Sequence, residues 1–187
     1  MTTITTSKEY EQLLKQTKDA HLLGTSIGLL HWDQEVMMPK KGIDFRADQI
    51  ALTSKLHHEM STDPKIGDWL SACEEDPELQ GDPTSISAVN IREIRHHYDR
   101  ATKLPTSLIE EEAKLSSHGQ NAWAEARKNN DFSEFQPWLE KIVALLQQKA
   151  DCYGWAEGGE PWDALAEDYE PGCTAASVCP IPSSRFR

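Results

Sequence analysis

No run of apolar residues approaches the ~18 needed to cross a bilayer, so no membrane span is expected. The first residues, Met1-Thr2-Thr3-Ile4-Thr5-Thr6-Ser7-Lys8, lack the basic and apolar regions of a secretory signal. Cysteine is scarce: Cys73, Cys152, Cys173 and Cys179 are scattered and form no C-x-x-C pair. That pattern argues against a disulfide framework and a thiolate zinc site, and it fits a cytoplasmic chain with reduced thiols. Basic charge is also in short supply. The 187 residues carry 19 Lys+Arg against 31 Asp+Glu, a formal charge of −12. An acidic surface is a poor match for phosphate, so nucleic acid and anionic membrane are not expected partners. At 38% hydrophobic and 27% charged, the composition is that of a folded globular protein.

Period-two alternation is missing as well, and what remains is helical periodicity almost throughout. The expected fold is all-α, with about six helices near residues 7–33, 43–60, 64–75, 83–102, 105–129 and 132–156. Ser7 is placed to cap the first, whose stripe of Tyr10, Leu13, Leu14, Thr17, Ala20, Gly24, Ile27, Gly28 and His31 recurs at three- and four-residue steps. Gly24 and Gly28 would let another helix approach closely. Ala47, Ile50, Ala51 and Ser54 mark the inner face of the second helix, and Ile66, Trp69, Leu70 and Cys73 that of the third. Asp63-Pro64 and Asp82-Pro83 are start signals for the third and fourth, with Ile86, Asn90, Ile94 and His97 sharing a face in the latter. Asp131 is expected to cap the sixth, with Pro137 in its first turn. The six tryptophans mostly fall on apolar stripes and read as core anchors. Beyond Trp155 the chain reads as a connector followed by an acidic, aromatic segment, Trp162 to Gly172. A helix capped by Thr174 is cut short by Pro180 and Pro182 and is expected to have no room to form.

A search for chemistry returns little. The helical zinc motif H-E-x-x-H fails, because His58-Glu59 is followed at the required position by Thr62 and no two of the seven histidines are four apart. The adjacent pairs His57-His58 and His96-His97 diverge by about 100° on a helix, so neither pair alone suits one ion. His31 and Glu35 have helical metal-ligand spacing, but Glu35 falls near the expected helix end. Asp163, Glu167, Asp168 and Glu170 lack the spacing and central glycine of a calcium loop and read as a solvated or salt-bridged turn. No catalytic, cofactor-binding or metal-ligating residue is assigned from these patterns.

Two segments carry more information. One is Leu29-Leu30-His31-Trp32-Asp33-Gln34-Glu35-Val36-Met37-Met38-Pro39-Lys40, followed by Gly42 and Arg46-Ala47-Asp48-Gln49. The other is Pro161-Trp162-Asp163-Ala164-Leu165-Ala166-Glu167-Asp168-Tyr169-Glu170-Pro171-Gly172. Their W-D-x-x-x-x-M-P and D-A-L-x-x-x-Y-E-P-G elements, in that order with helices between, resemble the N-terminal part of the carboxypeptidase Taq family. Trp162 and Cys173 stand where that family usually has Tyr and Met.

The resemblance runs from about residue 7 to Val178. It implies an all-helical, cytoplasmic zinc metallocarboxypeptidase that removes C-terminal residues from peptides, often as a homodimer. It also implies that the metal ligands, an H-E-x-x-H helix and a later Glu, lie C-terminal to the Y-E-P-G element, where this sequence has no matching positions. The sequence therefore divides into a helical region, 1–178, and a divergent tail, 179–187, as a truncation or frameshift would leave. The expectation is a portion of the enzyme that is inactive alone and holds no zinc or other divalent metal. Trp32-Asp33 and Tyr169-Glu170 are the candidate wall of a substrate groove, with packing and turn formation as the plainer role. A portion of a larger fold should expose apolar faces, and Leu13, Ile27 and Leu30 or Ile142 and Leu146 are the expected ones. The competing reading is a non-catalytic helical interaction module.

Overall fold

The computed structural model describes residues 7–178, and within them the backbone is helical with no strand. The helices are α1 (Lys8–Val36), α2 (Ile43–Ser61), α3 (Pro64–Glu74), α4 (Pro77–Gln80), α5 (Ile86–Ala101), α6 (Thr106–Asn129), α7 (Gln136–Tyr153), α8 (Pro161–Ala166) and α9 (Ala175–Val178). They divide into two compact units, residues 1–121 and 122–187, with the boundary inside α6. The tail expected from 179 onward lies outside the described residues.

In the first unit the start signals act as their chemistry dictates. Ser7 Oγ accepts from Tyr10 N–H at the head of α1, and Asp63 accepts from Lys65 N–H at the head of α3, where Pro64 occupies the first turn. The core is built from Tyr10, Leu13, Ile66, Leu70, Cys73, Leu79 and Ile91, bordered by Leu14, Trp69, Ile94 and Tyr98. Ala47, Ile50 and Ala51 bury the inner face of α2, which packs mainly on α1. The second unit is smaller and built on small side chains: Ala126, Leu145, Ala150, Ala164 and Ala166 are its buried apolar residues, and α7 packs on α8.

Several expectations are corrected. Asp82-Pro83 does not start a helix. Asp82 Oδ1 instead accepts from both the N–H and hydroxyl of Thr84, and Ser85 caps α5 by accepting from Ala88 N–H. The inward face of α5 is Ala88 and Ile91 with Ile94 packed beside them, while Ile86 is 81% exposed and His97 is exposed. Asp131 caps a single 3-10 turn, Phe132–Glu134, and α7 begins after it with Pro137 in its first turn, as expected. The helices α4 and α8 were not foreseen, and one turn of helix forms after Thr174 where none was expected. No tryptophan is a fully buried anchor: Trp32, Trp123, Trp155 and Trp162 are exposed, and Trp69 and Trp138 are half-buried.

The glycines of α1 behave unlike one another. A Cβ on Gly24 would stand 3.2 Å from His57 Nε2, whereas one on Gly28 would meet nothing within 4 Å. Gly28→Ala is therefore expected to stabilise the protein by about 0.5–1 kcal/mol through helix propensity, while Gly24→Ala gains less or nothing. Chemical denaturation of the two variants side by side checks this, and equal gains would contradict the close approach at Gly24.

Candidate functional site

The W-D-x-x-x-x-M-P element forms the last turns of α1 and the exit from it. Asp33 O receives the Met37 and Met38 N–H groups at 2.9 and 2.8 Å and so closes the helix. The Asp33 side chain is turned to α2. Arg46 Nη2 donates to Asp33 Oδ2 at 2.5 Å, Arg46 Nη1 to Leu30 O at 2.7 Å, and Arg46 Nε to Gln49 Oε1 at 3.1 Å. One guanidinium thus spans a carboxylate, a helix carbonyl and an amide, a use of its planar fork that an ammonium cannot copy. The next residue, Gln34, binds α6 at two points. Its Nε2 donates to Ser117 O at 3.3 Å, and its Oε1 accepts from the buried Ser117 hydroxyl at 2.5 Å. Trp32 and Met37 remain exposed beside this staple.

The D-A-L-x-x-x-Y-E-P-G element belongs to the second unit and is tied by its own carboxylates. Asp163 Oδ2 accepts from Glu160 N–H at 3.1 Å, completing a capping box with Glu160 at the head of α8. Asp163 Oδ1 accepts from Ala175 N–H at 2.7 Å, and Glu167 Oε2 from Gly172 N–H, also at 2.7 Å. The acidic segment is thus not merely solvated, since Asp163 holds the N–H groups of Glu160 and Ala175 and Glu167 holds that of Gly172. Gly172 takes φ 77°, a left-handed conformation that suits glycine. Tyr169 is 88% exposed. Removing the Asp163 carboxylate strands two backbone donors, so Asp163→Ala is expected to cost about 1–2 kcal/mol. Hydrogen exchange at the Ala175 amide should then accelerate about tenfold. Unchanged exchange there would contradict the assignment.

Among the described residues the histidines join no metal-binding cluster. His58 is buried, and its Nε2 lies 3.0 Å from Leu104 O. A carbonyl only accepts, so that nitrogen carries the proton and is committed. His57 is half-buried over Gly24. His96 and His97 stand edge to face, ring centroids 5.6 Å apart and planes at 68°. Because α1 continues to Val36, past its expected end, His31 and Glu35 do share one helix. No third group joins them. Among the described residues no cluster of three or more His, Cys, Asp or Glu could hold a metal ion. A catalytic zinc site needs about three protein ligands with an open position, and the described residues bring no such set together.

Burial pushes the His57 imidazole below the ordinary histidine range, and the neighbouring His58 and His21 push it the same way. Burial also lowers His58, against the Leu104 hydrogen bond and the charge of Glu59. Folded values below the unfolded ones mean that the fold favours the neutral rings. Their contribution is complete above about pH 6.5 and is lost as pH falls through the folded values. Unfolding free energy should therefore fall between pH 7.5 and 5.5, and His57→Gln should flatten that slope. An equally steep slope in the variant would contradict the assignment to His57.

Comparison with known proteins places this geometry. The family model described as carboxypeptidase Taq (M32) metallopeptidase matches residues 12–181. Thermostable carboxypeptidase 1 of Thermus thermophilus is 38% identical over 95% of this chain and 36% of its own length. That of Pyrococcus furiosus is 33% identical over 90% of this chain and 32% of its own. Among solved structures, BsuCP superposes with a TM-score of 0.83 at 25% identity, over 92% of this chain and 34% of that one. The M32 carboxypeptidase of Deinococcus radiodurans gives 0.71 at 28%, over 92% of this chain and 33% of that one. The chain spans about a third of the length of the curated relatives it matches.

Proposed function

Because the chain belongs to the carboxypeptidase Taq (M32) metallopeptidase family, we propose that it is the N-terminal helical portion of a zinc carboxypeptidase that releases C-terminal residues from peptides in the cytoplasm. The observation that carries the reading is the match over residues 12–181 to about a third of relatives that are carboxypeptidases. In this proposal the portion has no metal site of its own, and the zinc is held by the remainder of such an enzyme. The committed Nε2 of His58 supports that part. Its residues contribute structure: the Arg46 staple fixes the end of α1, and the Asp163 and Glu167 turns fix the segment after α8. Trp32, exposed beside the Arg46 staple in the first unit, is the side chain offered to peptide there, and Tyr169, exposed after α8, is offered separately within the second unit. The free thiols of Cys73, Cys152 and Cys173 agree with a reducing compartment, and no helix among the described residues is long and apolar enough to cross a membrane. Homodimerisation is part of the proposal for the whole enzyme.

The test is a chimera in which residues 1–178 replace the matched segment of the Thermus thermophilus carboxypeptidase. The expected result is zinc-dependent release of C-terminal amino acids. A folded, metal-loaded chimera without that activity would refute the reading. It would favour the second one, a helical interaction module, for which the outward apolar residues of α1 also speak.

A further inference from the structure

The helix α1 is apolar on two sides. Leu13 and Ala20, seven residues apart, lie on the buried side. Leu22 follows Ala20 by two positions, about 200° round the helix, and begins a second line through Leu29 and Val36 at the same seven-residue interval. These three are 54%, 69% and 58% exposed, and Trp32 flanks them at 58%. The expected exposure of Leu13 is corrected by its full burial, and Ile27, Leu30, Ile142 and Leu146 are half-buried. The outward face is a different line from any of these.

Three features mark that line as a surface meant to be covered. A surface helix carries one apolar stripe, and a helix apolar on both sides is usually buried on both. Residues 22–32 contain no Asp, Glu, Lys or Arg, in a chain with a formal charge of −12. The hydroxyls of the line are already satisfied, since Thr25 Oγ1 donates to Leu22 O at 2.7 Å and Ser26 Oγ to the same oxygen at 3.3 Å. Covering them therefore leaves no orphaned donor.

What covers the line follows from charge and from length. A second copy would bring another −12 against the first, so an uncharged face is a better match for this line than the same line of another copy. The relatives share this helical arrangement in chains about three times as long. We infer that the Leu22-Leu29-Trp32-Val36 line of α1 docks an uncharged apolar helix face from the remainder of an M32 peptidase, over about 21 Å. This rests on the proposed function for the identity of the partner, and on the geometry of α1 alone for the surface.

Two experiments test it. In the first, the purified 187-residue chain is titrated with the part of the Thermus thermophilus carboxypeptidase outside the matched segment, by calorimetry and light scattering. The expected result is a one-to-one complex that Leu29→Glu weakens by at least about tenfold, with Ile86→Glu, an exposed position on α5, within about twofold of the parent. In the second, Leu29→Glu is placed in the chimera described above and is expected to lower its melting temperature by about 10 °C, with Ile86→Glu near neutral. Equal effects of the two substitutions would overturn the inference. A self-dimer of the chain that Leu29→Glu dissociates would do the same. Failure of the function reading has a different signature: a chimera sensitive to Leu29→Glu but lacking carboxypeptidase activity.

Discussion

Replacing Leu70 with alanine is expected to cost about 3 kcal/mol and lower the melting temperature by about 10 °C. Leu70 is 0% exposed and sits inside a cluster that joins α1, α3, α4 and α5. Around it stand Tyr10, Leu13, Ile66, Cys73, Leu79 and Ile91, contributed by four separate helices. Tyr10 is itself held, because its hydroxyl accepts from Asn90 Nδ2 at 3.0 Å, and the Tyr98 hydroxyl is pressed close to Gly67. A site gripped in this way collapses poorly around a missing isobutyl group, so the cavity penalty adds to the lost transfer energy. Ile86→Ala provides the contrast. That side chain is largely in water and its loss should stay within about 0.5 kcal/mol. Denaturant titration of both variants at constant m measures the difference. A Leu70→Ala cost below about 1 kcal/mol would mean that the cluster is not the core of the first unit.

Arg46→Ala should be the next most damaging change, at about 2–3 kcal/mol. The guanidinium is mostly buried, with its side chain 13% exposed, and it serves Leu30 O, Asp33 and Gln49 together. Its removal takes the Leu30 carbonyl's second donor, leaves the Asp33 carboxylate without its cation and unpins the end of α1. Asp33→Asn is expected to cost less, about 1 kcal/mol, because that carboxylate is 38% exposed and water can screen part of the loss. Arg46→Lys separates charge from geometry. A lysine keeps the charge but cannot reach three acceptors in one plane, so it should recover under half of the loss. If lysine proved as stable as arginine, the staple would be a simple ion pair.

The helices legible in the sequence were those whose caps and stripes agreed. Ser7 and Asp63-Pro64 started α1 and α3 where expected, and Ala47, Ile50 and Ala51 lined the inner face of α2. Where two cap-like residues compete, the pattern does not choose between them. Asp82 and Ser85 both precede a helical run, and the Thr84 hydroxyl decides by engaging Asp82 in a turn. Short helices escape because four to six residues show no period, although Asp76 accepting from Glu78 N–H and the Glu160-Asp163 box carry start signals for α4 and α8. The outward line of α1 was masked for another reason. The inner stripe accounts for the periodicity by itself, so Leu22, Leu29 and Val36 look like scattered surface residues until their exposure is seen together. The two family-like elements could be found as strings, but the roles of Arg46 and Glu167 depend on partners across a helix pair and a turn.

The central claim, that this chain is the structural portion of a metallocarboxypeptidase with the metal chemistry elsewhere, is tested most directly on the purified 187-residue chain. After chelation, zinc repletion and dialysis, bound zinc and the release of amino acids from the C-terminus of a peptide are measured together. The account predicts well under one zinc per chain and no release. One tightly bound zinc per chain, with zinc-dependent release abolished by His58→Ala, would contradict it.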